Sequence, residues 1–280
     1  MSKFFVANDK GGVGKSLLAQ YLVIALRGAN RNPTIFEYDQ HPKQCRWFGS
    51  GNVQTWSVSP SQSDLQHDPM AALRFWDPLF QPLSDDRDLV VDLGAQAWTG
   101  LHQWLRVSGL AQLLPSLEPT IFIPFTADSE AARGALRIIN DTAADLPRAR
   151  IILMRLDRDG DVEMLRGTPE MEDIQAALRH PRVTMRIFPV LRAEAYPSLC
   201  ARGFRLDQIA NLKTGEFQLN GVSDLAIART VASVRGWMIE MYRSLLPVVF
   251  GTEFQSAPAK VSDHNAPTAG VTKTQYSHGD

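Results

Sequence analysis

The fold of this chain is decided by one stretch, Lys10-Gly11-Gly12-Val13-Gly14-Lys15-Ser16, which follows an apolar run that begins at Phe4. Glycines let backbone N–H groups turn toward a bound anion without side-chain collision, and a helix that starts there adds partial positive charge. The stretch meets the last three positions of the pattern G-x-x-x-x-G-K-[ST], and Asp9 stands where that pattern has its first glycine. It predicts a phosphate-binding loop between a strand and a helix.

The side chains of this loop predict how a nucleoside triphosphate is bound. We expect the ammonium of Lys15 to reach the β- and γ-phosphates, and the hydroxyl of Ser16 to ligate Mg²⁺. The expected cofactors are ATP and Mg²⁺. The predicted nucleotide-binding residues are Lys10, Gly11, Gly12, Val13, Gly14, Lys15, Ser16 and Leu17.

Short apolar runs alternate with helical patterns along the chain, which predicts an α/β fold with a mostly parallel twisted sheet flanked by helices. The predicted strands cover residues 4–7, 34–38, 89–93, 120–124, 151–155 and 183–188. Helices are predicted after the phosphate loop and over residues 70–80, 129–143 and 223–246, with Pro247 ending the last one. We expect one P-loop ATPase domain over residues 1–250 and a disordered polar tail over residues 251–280.

Composition narrows the class of protein further. The 280 residues carry a formal net charge of −1, so no overall basic field indicates nucleic acid. Cys45 and Cys200 are the two cysteines, and their spacing fits neither a disulfide framework nor a zinc site. No apolar run is long enough to span a bilayer and the N-terminus lacks a signal-type stretch. These features are typical of a soluble cytoplasmic protein.

The stretch from Lys10 to Ser16 resembles the deviant Walker A motif of the ParA/MinD family of ATPases. In that family the additional lysine, matched here by Lys10, reaches across a nucleotide-sandwich dimer to the phosphates of the partner. The resemblance covers residues 3–245 and implies a homodimer that forms when ATP binds.

Two further segments are similar to that family. Residues 37–42 match the switch that follows the second strand, with Asp39 as the residue that helps position the attacking water and Glu37 in place of the first aspartate. Residues 89–94 match the Walker B segment, in which Asp92 would hold Mg²⁺ and Gly94 would let the next loop respond to the γ-phosphate. The resemblance thus implies Lys10, Lys15 and Asp39 as catalytic residues, and Ser16 and Asp92 as metal ligands.

Later segments resemble the family less specifically. Residues 121–124 and the helix after them are similar to its fourth strand and helix, and residues 186–189 with 193–203 are similar to the strand and loop near the adenine. Many relatives place an asparagine after the fifth strand, where this chain has Met154-Arg155-Leu156-Asp157. The residue that reads the base is therefore left unassigned.

The resemblance implies an ATPase, weak and stimulated by a partner protein, that acts as a dimerisation switch. Within the family such switches serve plasmid or chromosome partition, DNA transfer or positioning of a complex. Some relatives bind nonspecific double-stranded DNA through basic residues, which would place the protein on the nucleoid. The candidate arginines are Arg133, Arg137, Arg202, Arg205, Arg229 and Arg235.

Two alternatives remain open at this point. One is a regulatory ATPase that docks on proteins and does not bind DNA. The other is a metabolic or redox ATPase on the same fold, such as an amidating synthase or an iron–sulfur reductase. A reductase of that kind needs cluster cysteines at a dimer interface, and Cys45 and Cys200 do not form such a pattern.

Overall fold

The computed structural model describes residues 1–56, 66–68, 70–213 and 221–250. The predicted tail over residues 251–280 lies outside the described residues. Within them, no helix is both long and apolar enough to cross a membrane.

A seven-stranded parallel sheet forms the centre of the fold, as the sequence predicts, with the strand order β3-β2-β4-β1-β5-β6-β7. All residues of the central strand β1 are buried, because helices cover both faces of the sheet. The strands are β1 (Lys3–Val6), β2 (Thr34–Tyr38), β3 (Val53–Trp56), β4 (Leu89–Leu93), β5 (Thr120–Phe125), β6 (Arg150–Arg155) and β7 (Val183–Ile187).

Helices connect the parallel strands and lie against the sheet. In chain order the α-helices are α1 (Lys15–Gly28), α2 (Gln44–Phe48), α3 (Ala71–Arg74), α4 (Phe80–Ser84), α5 (Ala97–Val107), α6 (Leu110–Leu113), α7 (Ser129–Asp145), α8 (Pro169–Ala177), α9 (Tyr196–Ala201), α10 (Leu206–Ala210) and α11 (Asp224–Val249). Short 3₁₀ helices occupy Asp77–Leu79 and Val162–Leu165.

The core is divided into two clusters by the sheet. Phe4 and Phe5 are neighbours in β1 but belong to different clusters, because successive side chains of a strand point to opposite faces. One cluster joins the sheet to α5, α7 and α8, and the other joins it to α1, α10 and α11. Phe4 and Phe122 meet edge to face in the second cluster, with ring centroids 5.4 Å apart.

The predicted strands agree with the structure to within one residue at each end. Two local features differ from the predictions here, and a third concerns the last helix. The edge strand β3 is absent from the predicted set. The helix predicted over residues 70–80 is divided into α3, a 3₁₀ turn that contains Pro78 and the start of α4.

The prediction that Pro247 ends the last helix is wrong. Helix α11 continues through Pro247 to Val249. A proline inside a helix removes one backbone hydrogen bond, but Val248 and Val249 beyond it are buried against the core. Their burial offsets that loss, so the helix runs on until Phe250.

Candidate functional site

The candidate site lies at the carboxyl ends of β1, β2 and β4, which are neighbours in the sheet. Strand β4 lies between the other two, with Asp92 beside Val6 on one side and beside Glu37 on the other. The loops that follow these strands therefore meet at one edge, where ligands bind in open parallel sheets. They enclose a cavity of about 800 Å³ whose lining includes Gly11, Gly12, Gly14, Lys15, Ser16, Leu17 and Asp39.

The backbone of the phosphate loop has the form of an anion-binding turn. Gly12 and Gly14 have φ angles of 79° and 91°, a region that favours glycine. A Cβ atom at Gly14 would lie 2.8 Å from the Phe188 ring, so this position has no room for a side chain. Among the described residues, no hydrogen-bond partner exists for the N–H groups of Gly11, Gly12 or Gly14. These donors are available to phosphate oxygens at the start of α1.

Two side chains hold the loop in place. Asn8 is buried; its amide donates to the carbonyls of Pro124 (2.9 Å) and Ala131 (3.0 Å), and its Oδ1 accepts from the Lys10 N–H at 2.9 Å. On the outer side, the Arg158 guanidinium donates to the carbonyl of Gly12 at 2.5 Å. The loop is therefore fixed to β5, to α7 and to the segment after β6.

Lys15, the lysine expected to reach the phosphates, lies inside the loop and lines the cavity. Its side chain is buried and its Nζ donates to the Lys10 carbonyl at 2.7 Å. Burial lowers the pKa of the Lys15 ammonium, and the carboxylates of Asp92, Asp39 and Asp9 oppose that shift. Bound phosphates would replace water as the partners of this ammonium.

Ser16 and Asp92, the two predicted metal ligands, are brought together by the fold. The Ser16 hydroxyl hydrogen-bonds to the Asp92 carboxylate, which is buried at the end of β4. Burial raises the pKa of Asp92 to about 6, against the effect of its hydrogen bonds and of Lys15. Hydroxyl and carboxylate oxygens are the protein ligands that Mg²⁺ prefers, and phosphates and waters complete its shell. The residues present fit Mg²⁺.

Gln44 is a buried part of this arrangement that sequence reasoning missed. Its amide donates both to Asp92 Oδ2 at 2.8 Å and to the Ser16 carbonyl at 2.9 Å. One side chain thus ties α2 to both predicted metal ligands. No local signal marks this glutamine in the sequence, because its role depends on three segments meeting.

Glu37, which stands where the family has its first switch aspartate, caps α2. Its buried carboxylate accepts hydrogen bonds from the N–H groups of Lys43 (2.6 Å), Gln44 (2.9 Å) and Cys45 (3.2 Å). A carboxylate at a helix N-terminus satisfies donors that have no partner within the helix. Burial raises the pKa of Glu37. Its contacts orient Gln44 and leave Asp39 as the switch carboxylate that lines the cavity.

Two loops of the site, the loop after β2 that contains Asp39 and the loop after β4 that begins at Gly94, contact each other; we call them the two switch loops. The Gly94 N–H donates to the Tyr38 carbonyl at 2.5 Å, and a Cβ atom at Gly94 would lie 2.8 Å from the same oxygen. Asp39 lies beside this glycine, and its Oδ1 accepts from the His41 N–H at 2.9 Å. The loop after β2 and the loop after β4 are therefore in direct contact at this point.

Lys10 and Val13 are loop residues that do not line the cavity. Val13 is packed in the core. The Lys10 ammonium turns outward to Glu130 Oε2 at 2.5 Å and Asp128 Oδ2 at 3.5 Å, and the hydrogen bond to Glu130 raises its pKa. Lys10 therefore reaches away from the cavity that the other loop residues line.

The loop predicted near the adenine contributes to the cavity. Tyr196 and Cys200 from that loop line it together with Trp47 from α2 and with Gln96, neither of which the sequence analysis placed in the site. Trp47 is otherwise buried.

Most of the candidate DNA-binding arginines have partners within the chain. Arg137 pairs with Asp9, Arg133 lies 3.4 Å from Glu170, and Arg205 lies 2.9 Å from Asp207. Arg235 donates to the carbonyl of Ala210 at 2.5 Å. Arg229 is exposed on α11. The six arginines belong to α7, to α11 and to the segment between α9 and α10.

Comparison with known proteins gives similarity in fold. No protein-family model matches the sequence, and no curated protein matches it significantly. McdA from Cyanothece, solved with ATP, aligns over 85% of this chain and 96% of its own, with 15% identity and a TM-score of 0.42. A putative plasmid partition protein from Borrelia burgdorferi bound to AMPPNP aligns over 84% and 99%, with 14% identity and a TM-score of 0.46.

The MinD cell division protein from Aquifex aeolicus aligns over 86% of this chain and 98% of its own, with 13% identity and a TM-score of 0.44. The parallel sheet, with the loop Lys10–Ser16 between its central strand and α1, is the α/β fold that the sequence predicts. At these identities the function of this chain has to be inferred from its own residues.

The raised pKa of Asp92 leads to a test of the site without any ligand. Above pH 6 the folded chain holds an ionised, buried carboxylate, which destabilises it; as pH falls through about 6, the folded state takes up a proton before the unfolded state does. In EDTA, Asp92→Asn should therefore raise the free energy of unfolding at pH 7.5 by about 1 to 3 kcal/mol and by much less at pH 4.5. Urea unfolding at both pH values measures this.

A suitable control is Asp173→Asn, because Asp173 is an exposed aspartate on α8 that lies outside the cavity lining. That variant should lack the large difference between the two pH values. A destabilised Asp92→Asn chain at pH 7.5 would contradict the buried, incompletely compensated charge.

Proposed function

We propose that this chain is an ATP-binding and hydrolysing dimerisation switch of the ParA type. ATP and Mg²⁺ close a homodimer, the dimer engages a surface or a partner protein, and hydrolysis releases it. The observation that carries this proposal is the pair of lysines on one loop, with Lys15 buried inside it and Lys10 turned outward.

The binding half of the proposal is supported by the loop and the metal pair. The N–H groups of Gly11, Gly12 and Gly14 and the Lys15 ammonium would hold the β- and γ-phosphates. Ser16 and Asp92, fixed by Gln44, would hold Mg²⁺, which neutralises charge on the phosphates during transfer.

The dimerisation half is supported by the surroundings of Lys10. Its ammonium is about one-third exposed and lies between the carboxylates of Asp128 and Glu130 at the start of α7. Exposed ion pairs of this kind contribute little to stability, so Lys10 can exchange them for the phosphates of a second subunit at little cost.

Hydrolysis requires a positioned water more than covalent chemistry. The Asp39 carboxylate lines the cavity next to the hinge at Gly94 and can accept a hydrogen bond from that water. Because the two switch loops contact each other, a partner protein that binds to either loop would change the position of Asp39. We therefore expect hydrolysis that is slow alone and stimulated by a partner.

The process served is partition of DNA, or its transfer, or placement of a complex in the cell. Nonspecific DNA suits the exposed Arg229, whereas Arg133, Arg137, Arg205 and Arg235 would first have to leave their present partners.

Alanine substitution of Lys15 and of Lys10 should affect different properties, nucleotide binding in the first case and dimerisation in the second. Lys15→Ala removes charged hydrogen bonds to phosphate and should weaken Mg-ATP binding at least about tenfold. Lys10→Ala should keep the affinity within about threefold but abolish dimerisation by ATP. Fluorescent-nucleotide titration measures binding, and light scattering after size exclusion measures the oligomeric state.

Lys213→Ala provides a matched control for charge removal, because Lys213 is exposed and lies outside the cavity lining. A Lys10→Ala chain that dimerises normally with ATP would exclude the trans role of Lys10.

DNA affinity measured at several salt concentrations tests whether DNA is the surface that the dimer engages. We expect double-stranded DNA of unrelated sequence to bind with Mg-ATP and much less with Mg-ADP, with affinity that falls steeply as salt rises. Arg229→Ala should lower the slope of log affinity against log salt by about 1, as for a phosphate contact. Absence of DNA binding in either nucleotide state would favour a regulator that docks on proteins.

A further inference from the structure

Gln96 has a backbone conformation that its side chain does not favour. Among the described residues, two that are not glycine have a positive φ, Asn30 at 57° and Gln96 at 63°. Asn30 follows the end of α1, where asparagine commonly takes this conformation. Gln96 precedes α5, a position that usually has extended backbone and a short polar residue. Strain of this kind is concentrated at functional sites.

The strained position lies in the candidate site. Gln96 comes two residues after Gly94 and lines the same cavity as Lys15 and Asp39. Its side chain is exposed, and among the described residues its amide has no hydrogen-bond partner. Packing therefore does not account for a glutamine here, because glycine would satisfy the backbone better.

The chemistry of a primary amide fits one task in this cavity. A water that attacks a phosphate must be held by an acceptor for one of its protons and by a donor toward its oxygen. The Asp39 carboxylate can only accept, whereas a glutamine amide offers both a carbonyl and an N–H group. In some other P-loop NTPases a glutamine orients the attacking water in this way.

We propose that Gln96 is a positioning residue that, together with Asp39, aims the water at the γ-phosphate. The water oxygen forms a bond to the γ-phosphorus while the bond from phosphorus to the bridging oxygen breaks. ADP leaves with that electron pair, and the proton released by the water ends on inorganic phosphate. Gln96 lines the same cavity as Asp39. This inference rests on the proposed ATP hydrolysis.

The test uses variants that should raise the stability of the nucleotide-free chain and lower the rate of ATP hydrolysis. Gln96→Gly and Gln96→Asn both suit the positive φ and should raise the urea midpoint of the nucleotide-free chain. Glycine removes the side-chain amide, and asparagine, whose side chain is shorter by one methylene, places the amide closer to the backbone. Both should lower the single-turnover rate of ATP hydrolysis roughly tenfold to a hundredfold and leave Mg-ATP affinity within about twofold.

Gln103→Asn is the matched control, since Gln103 is an exposed glutamine on α5 that does not line the cavity. Its hydrolysis rate should equal that of the wild type. Unchanged rates in both Gln96 variants, or a loss of ATP affinity instead of rate, would overturn the proposal for Gln96 alone. A wild type that binds Mg-ATP but hydrolyses none would overturn it too, whereas a wild type that binds no Mg-ATP would reject the proposed function itself.

Discussion

The buried carboxylate of Asp92 is the constraint on which the rest of the site depends. An ionised group with no access to water is costly unless hydrogen bonds and opposite charge compensate it. Ser16, Gln44 and, at longer range, Lys15 supply part of that compensation, but burial still raises the pKa of Asp92 to about 6. In the proposed function, Mg²⁺ would supply the remainder. The chain would then accept lower stability without Mg²⁺ for a site that Mg²⁺ completes.

The topology of the sheet brings these groups together. Because β4 lies between β1 and β2, the phosphate loop and both switch loops leave the sheet at adjacent points. Glu37 fixes α2, α2 carries Gln44, and Gln44 holds Asp92 and the first turn of α1. In the proposed function, a change at the phosphates would reach both switch loops through these direct contacts, and Lys10 would respond to the same change on the outer face.

Local chemistry explains which features the sequence predicted. Glycines, a lysine and a serine in one short stretch specify the phosphate loop, and continuous apolar runs specify six strands. Gln44 and Gln96 were missed because their roles come from segments that meet only in the folded chain. Pro247 was misread because burial of Val248 and Val249 outweighs one lost hydrogen bond. Glu37 kept its place in the motif but serves as a helix cap.

The most direct test of a site completed by Mg²⁺ is calorimetric titration of the full chain with ATP in the presence of Mg²⁺ and in EDTA. With Mg²⁺ we predict heat that saturates at one nucleotide per chain. In EDTA, where Asp92 and the phosphates repel each other, binding should be much weaker. Equal binding under both conditions, or no heat in either, would contradict the account.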